Sequence, residues 1–171
     1  MTPRSALEVV DSGEIRLQKI ERIIEQSKYG IHDLSNMKLD RSSGLPRFNM
    51  PLELGLFLGA KRFGDAQQRT KRALILDCEP YRYQKAISDI AGQDIQTHSN
   101  NAQLLIQCVR DFLHKFSRRK TIPGASFIKA EYDAFKEELP GICESLRIKP
   151  DEMNFNDLWE AMYSWQLLRD L

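Results

Sequence analysis

Arg72-Ala73-Leu74-Ile75-Leu76-Asp77-Cys78 is a short, nearly unbroken apolar run. A strand with one wet face alternates polar and apolar residues, whereas a parallel strand covered on both faces reads as a continuous apolar stretch. Working outward, Lys28-Tyr29-Gly30-Ile31-His32-Asp33-Leu34-Ser35 reads as a strand that ends in polar groups. Between the two lies a helix from Asn49 to about Phe63, with Asn49 as its cap, Pro51 in its first turn and a stop near Gly64. Downstream, the pattern predicts a helix from about Pro80 to Ala91 and a weaker strand over Gln93 to His98. An amphipathic helix then starts at Asn100 or Asn101 and carries Leu104, Leu105, Cys108, Val109, Phe112 and Phe116. Upstream, Ser5 to Val10 can form a short strand, and Asp11 to Glu14 looks like the capped start of a helix bearing Leu17, Ile20, Ile23 and Ile24. Lys38 to Arg47 is a polar loop. Strands alternating with helices predict an α/β fold built on a parallel sheet in three layers.

After Thr121-Ile122-Pro123-Gly124 the alternation stops. Ile128, Tyr132, Phe135 and Leu139 mark one helix, interrupted at Pro140-Gly141. Phe155, Leu158, Trp159, Met162 and Trp165 mark another, capped by Asn154. The expected organisation is an α/β domain over residues 1–121 and a C-terminal helical extension over 122–171 packed on it.

A chain of 171 residues, 42% hydrophobic and 29% charged, suits one folded domain with an appended piece. The 25 basic and 24 acidic residues leave a net charge of +1, which gives no general attraction to nucleic acid or anionic lipid. Arg118-Arg119-Lys120 lacks the interleaved aromatics of a base-stacking surface and reads as the solvated end of a helix. Cys78, Cys108 and Cys143 are odd in number and lack ligand spacing, so reduced thiols and a cytoplasmic setting are expected. No apolar stretch spans a bilayer, no secretory leader opens the chain, and no glycine pattern cradles a phosphate or dinucleotide. No metal or cofactor is expected.

Open parallel sheets bind ligands beyond the carboxyl ends of their strands. Asp33 and Ser35, Asp77, and Thr97 with His98 fall there, and Asn49 and Glu53 stand at the start of the following helix. Glu53 is the single charge between Arg47 and Lys61. A carboxylate in so apolar a setting needs a partner, a helix end or a cleft, because burying it bare is costly.

Ile31-His32-Asp33-Leu34-Ser35 followed by Asn49-Met50-Pro51-Leu52-Glu53-Leu54-Gly55 resembles the signature of the nucleoside deoxyribosyltransferase-like group, whose relatives include bacterial TIR-like nucleotide-binding proteins. In element order the likeness runs from about Ser5 to Phe116. It implies a flavodoxin-like sheet with helices on both faces, and breakage of an N-glycosidic bond in a nucleoside, nucleotide or NAD. Glu53 matches the family's catalytic glutamate, Asp33 the aspartate that positions the nucleoside or relays a proton, and Asn49 the polar residue near the sugar. Ser35, Asp77 and His98 would complete the substrate site. A carboxylate beneath the ribose ring stabilises charge developing at the anomeric carbon, and a second carboxyl group assists the leaving base. In the TIR-like branch such domains serve bacterial defence and work by assembly, so a homo-oligomer fits this reading. Against the family layout the chain opens at what resembles the second strand. Either the first strand–helix unit is missing, which would leave unpaired sheet edges, or the pocket is built differently.

Each of these residues has a plainer reading. Glu53 can offset the dipole of its helix, Asp33 can close an Asx turn, and His32, facing the other side of the sheet from Asp33, reads as a hydrogen-bonded core residue. His114 reads as surface, and Trp159, Met162, Tyr163 and Trp165 as core or interface. A nucleotide-sensing or interaction module without turnover, or an incomplete domain needing a partner's strand, is the alternative to an enzyme.

Overall fold

The computed structural model describes residues 2–8, 11–37, 44–119 and 121–169. In chain order the elements are α1 (Arg16–Gln26), β1 (Tyr29–Asp33), α2 (Asn49–Phe63), β2 (Arg72–Asp77), β3 (Gln96–Thr97), α3 (Ala102–Phe116), α4 (Ala125–Leu146) and α5 (Phe155–Arg169). β2 lies at the centre of a three-stranded parallel sheet ordered β1-β2-β3. β1 pairs along it from Tyr29 opposite Arg72 to Asp33 opposite Leu76, and β3 pairs at Leu76–Gln96 and Asp77–Thr97. The fold is α/β.

The unbroken apolar run of β2 has a direct reason. Successive side chains of a strand point to opposite sides. Ala73 and Ile75 pack into the cluster of Leu54 and Leu58 from α2 with Tyr83, while Leu74 and Leu76 pack with Leu105, Val109 and Phe112 of α3. β1 follows the same rule. Tyr29 meets Phe112 edge-on at 6.1 Å and donates its hydroxyl to the Phe116 carbonyl at 2.6 Å, whereas His32 meets Phe57 of α2 at 5.3 Å.

Lys71 is only 2% exposed just before β2. Its ammonium donates to the carbonyls of Ile24, Glu25 and Ser27 and stands 5.2 Å from the centre of the Phe57 ring. One cation thereby collects the free carbonyls at the end of α1 and fixes that helix to the sheet. Burial pulls the ammonium's pKa down, and Glu25 and Asp65 work against that pull.

The C-terminal helices form their own cluster around Phe135, Ala161 and Trp165. They join the rest through Arg110, which donates to the carbonyls of Pro123 and Ile122, and through Gln103 to Ser126 at 3.3 Å. Among the described residues no helix is long and apolar enough to cross a membrane.

Several expected elements differ. Ser5 to Glu8 form a turn, not a strand: the Glu8 amide bonds the Ser5 carbonyl and the Glu8 carboxylate takes Arg4 and the Ser5 amide, so the segment closes on itself. Val9 and Val10, like residues 38–43 of the polar loop, lie outside the described residues. Asp11 closes a local Asx turn onto the Gly13 amide, so α1 starts later, at Arg16. Asn49 is already the first helical residue of α2, and the cap position is Phe48, which offers no side-chain acceptor. The helix read over Pro80 to Ala91 is two tight 3-10 turns, Arg82–Lys85 and Ser88–Ile90. Tyr81 takes a left-handed conformation at φ 59° there, which stops helical propagation. The last strand shrinks to Gln96–Thr97. Helix α4 runs on through Pro140, because Phe135, Leu139 and Ile142 pack around α5 on both sides of it. That packing outweighs a break costing about 3 kcal/mol.

Gly30 carries a packing constraint. A Cβ there would lie 2.7 Å from Nε2 of His32 and 2.8 Å from the Phe57 ring. Gly30→Ala is expected to destabilise the fold by about 1–3 kcal/mol in urea denaturation. Gly55→Ala, where nothing lies within 4 Å, is expected to be neutral or stabilising by up to about 1 kcal/mol.

Candidate functional site

Two polar groupings lie near the carboxyl ends of the strands. The first joins Asp33, Ser35 and His98. One carboxylate oxygen of Asp33 accepts from the Ser35 amide at 2.9 Å and from the Ser35 hydroxyl at 2.5 Å. His98 Nε2 is 2.9 Å from the same hydroxyl oxygen and 3.5 Å from the Asp33 oxygen. A carboxylate only accepts, so the serine proton points to Asp33 and the serine oxygen takes the N–H of His98. This direction is the reverse of a serine nucleophile activated by a histidine base. His98 is buried and its backbone amide bonds the Asp77 carbonyl at 3.1 Å. It is followed by Ser99 and Asn100, both with positive φ, before Asn101 caps α3. Asp33 keeps 41% of its side chain exposed, so this grouping has one open end.

Asp77 lies beneath this grouping. Its side chain is fully buried, and one oxygen accepts from the Cys78 amide at 2.7 Å and from Arg82 at 2.5 and 2.9 Å. Arg82 also donates to the Leu34 carbonyl at 2.7 Å, which ties the ends of β1 and β2 together. Burial works against the charge on Arg82, but the bonds to Asp77 prevail and hold its pKa above the ordinary value. The other Asp77 oxygen has no partner among the described residues.

The second grouping surrounds Glu53. A hollow of about 420 Å³ opens between the segment Arg4–Leu7, α1, β1 and α2. Its lining includes Arg16, Ile23, His32, Met50, Glu53 and Phe57. Glu53 is one turn further into α2 than a first-turn position, because the helix starts at Asn49. Burial raises its pKa, and the charge of Arg16 pulls it back. Asp33, Ser35 and His98 are not in this lining, so the structure joins those three to one another and places Glu53 with His32 instead. Asn49 is exposed at the start of α2.

His32 departs from the expected hydrogen-bonded core histidine. It is 6% exposed, yet neither ring nitrogen has a partner among the described residues. Desolvation lowers its pKa to about 4. Lys71, Arg82 and Arg16 were not singled out by the sequence. The signal for Arg82 is weak: a cation five residues after a strand-ending aspartate. For Lys71 no local pattern distinguishes it from Arg72 beside it.

Among the described residues no three His, Cys, Asp or Glu side chains converge as metal ligands, and the three cysteines are free thiols. No protein-family model, no curated protein and no solved structure matches this chain.

The neutral state of His32 has a pH signature. Its folded pKa is below the unfolded value, so the unfolded chain binds the extra proton first as pH falls. Stability is therefore fully present above about pH 6.5 and declines towards pH 4, by up to about 3 kcal/mol from this group. Chemical denaturation at several pH values is expected to show this slope, and His32→Phe to flatten it.

Proposed function

We propose that this chain binds a nucleoside, nucleotide or NAD at the carboxyl end of its sheet and breaks the N-glycosidic bond, with Glu53 facing the ribosyl carbon. The observation that carries this reading is Glu53 itself: a carboxylate partly withdrawn from water, its pKa raised by that withdrawal, on the lining of a hollow of about 420 Å³. Ligand sites commonly have volumes of about 300–1,000 Å³. A carboxylate in a low-dielectric setting stabilises the positive charge that develops on the sugar as the base leaves.

Among the described residues the hollow offers one carboxylate, which bears on the substrate. A neutral nucleobase leaves more readily when a second acid protonates it, but a pyridinium base already carries the positive charge and departs neutral. The arrangement therefore favours NAD over a deoxynucleoside. On this reading Asp33, Ser35 and His98 hold polar groups of the ligand at the open end of their cluster, and Asn49 orients the sugar. A flavodoxin-like sheet with helices on both faces goes with it, and the packing of β2 against α2 through Ile75 and against α3 through Leu76 supports that layout. A cytoplasmic defence role, exercised by a homo-oligomer, belongs to the same proposal.

The second reading is a nucleotide sensor without turnover. It is favoured by the absence of Asp33 from the lining that holds Glu53.

The test is release of free base from NAD and from deoxynucleosides, followed by chromatography. Nicotinamide is expected from the wild type, with Glu53→Gln slower by about 10²–10³-fold while ligand binding survives. Wild-type binding without base release marks the sensor. Equal rates for wild type and Glu53→Gln would remove Glu53 from the chemistry.

A further inference from the structure

Among the described residues strand β1 pairs with β2 alone, which makes its far side a sheet edge. In a parallel ladder the N–H and C=O of alternate residues point to the same neighbour. The Leu34 amide donates to the Leu76 carbonyl at 2.8 Å, and the Lys28 carbonyl accepts from the Arg72 amide at 3.0 Å. The even-numbered residues of β1 therefore face β2. The N–H and C=O groups of Tyr29, Ile31 and Asp33 face away from it, and none of them meets a backbone partner among the described residues.

The hollow described above runs along this edge. Tyr29 to His32, Ser5 to Leu7, Ile20, Ile23 and Phe57 all belong to its lining. The segment Ser5–Leu7 is tethered at both ends. Arg4 donates to the Gln26 side chain at 2.9 Å, and the Glu8 carbonyl accepts from Asn156 at 3.0 Å. His32 adds an independent sign, because its ring lines this space, more than nine-tenths buried, with both nitrogens unpartnered.

We infer that the hollow is an acceptor slot for one extended polypeptide segment of a partner protein, which adds to β1 as a fourth strand. Free backbone groups along an edge are the usual basis of such strand addition. Because the tethered segment Ser5–Leu7 shares the lining with Tyr29–His32, the proposed occupant is a single segment and not the edge of another sheet. A matching segment is about as long as β1, five residues or roughly 17 Å. Every second side chain is apolar, to meet Ile23 and Phe57, and one carries a hydroxyl to meet His32. A cation at an end of the segment can meet Glu53, whose charge Arg16 offsets only in part. This inference does not rest on the nucleotide reading: the two are rival occupants of one hollow.

The probe is a fluorescein-labelled, end-blocked peptide, Lys-Thr-Val-Thr-Ser-Thr-Val-Thr-Lys, titrated with the full chain and followed by anisotropy. Its symmetry makes the test independent of strand direction. Saturable binding is expected. Methylating one alternate set of peptide amide nitrogens should weaken it about tenfold or more, while methylating the other set leaves it nearly unchanged, because a single edge is bonded. Ile31→Pro removes one outward donor without touching the ladder to β2 and is expected to weaken binding by at least about tenfold. Should that variant fail to fold, Ile23→Glu, which places a charge beneath the segment, carries the same expectation. Absence of binding at about 1 mM protein, equal loss from both methylated peptides, or unchanged affinity in the folded variants would each overturn the inference. Base release is not part of this assay, so its outcome and that of the enzyme reading are separable.

Discussion

Among the described residues strand β1 is bonded on one side only, and most of what is unusual in this molecule follows from that. Were its far edge filled, there would be no hollow between α1, α2 and the segment Arg4–Leu7, and the surroundings of Glu53 and His32 would be different. The open edge leaves a carboxylate and an imidazole on the lining of one space, each with its pKa moved by burial, upward for Glu53 and downward for His32. Both shifts have the same leading cause, the hydration lost by the charged form, which at Glu53 the charge of Arg16 offsets only in part.

Two cations, the buried Lys71 and the half-buried Arg82, brace the two ends of the sheet. Lys71 binds the end of α1 to the start of β2, at the opening of the sheet. Arg82 binds Asp77 and the Leu34 carbonyl, at the carboxyl end. Removing one member of such a group leaves the other charge or carbonyl stranded, which costs more than the bond contributes. The polar chemistry above the strands is thus supported from below by an ion pair whose acid is fully buried. Asp33, Ser35 and His98 hold one another by local bonds, and only Asp33 reaches solvent appreciably.

The parallel strands were legible because their signal is local and redundant. The run from Arg72 to Cys78 has no alternation, and β1 is ended by the polar residues that bond each other in the structure. Helix α3 was legible through its apolar face and the Asn101 cap, whose side chain accepts from the amides of Gln103 and Leu104. The errors lie where a local pattern depends on a neighbour. Ser5–Glu8 has the composition of a strand, but Glu8 bonds Ser5 and Arg4 within the same segment, and the chain turns on itself. The segment after Pro80 has helical spacing, but Arg82 is drawn to Asp77 and Tyr83 into the core, which breaks it into tight turns. Pro140 looks like a stop, and packing on α5 carries the helix past it. For the site, the candidates at the strand ends could be named from position alone. Their division into a cluster around Asp33 and a hollow around Glu53 depends on how deep α2 sits, which no sequence spacing encodes.

Amide hydrogen exchange along β1 of the protein alone tests the central claim most directly. A one-sided strand gives an alternating pattern: slow exchange at Gly30, His32 and Leu34, which donate to β2, and exchange close to the unprotected rate at Tyr29, Ile31 and Asp33. Protection at Ile31 and Asp33 equal to that at His32 would mean the far edge is already filled, and the account built on it would not stand.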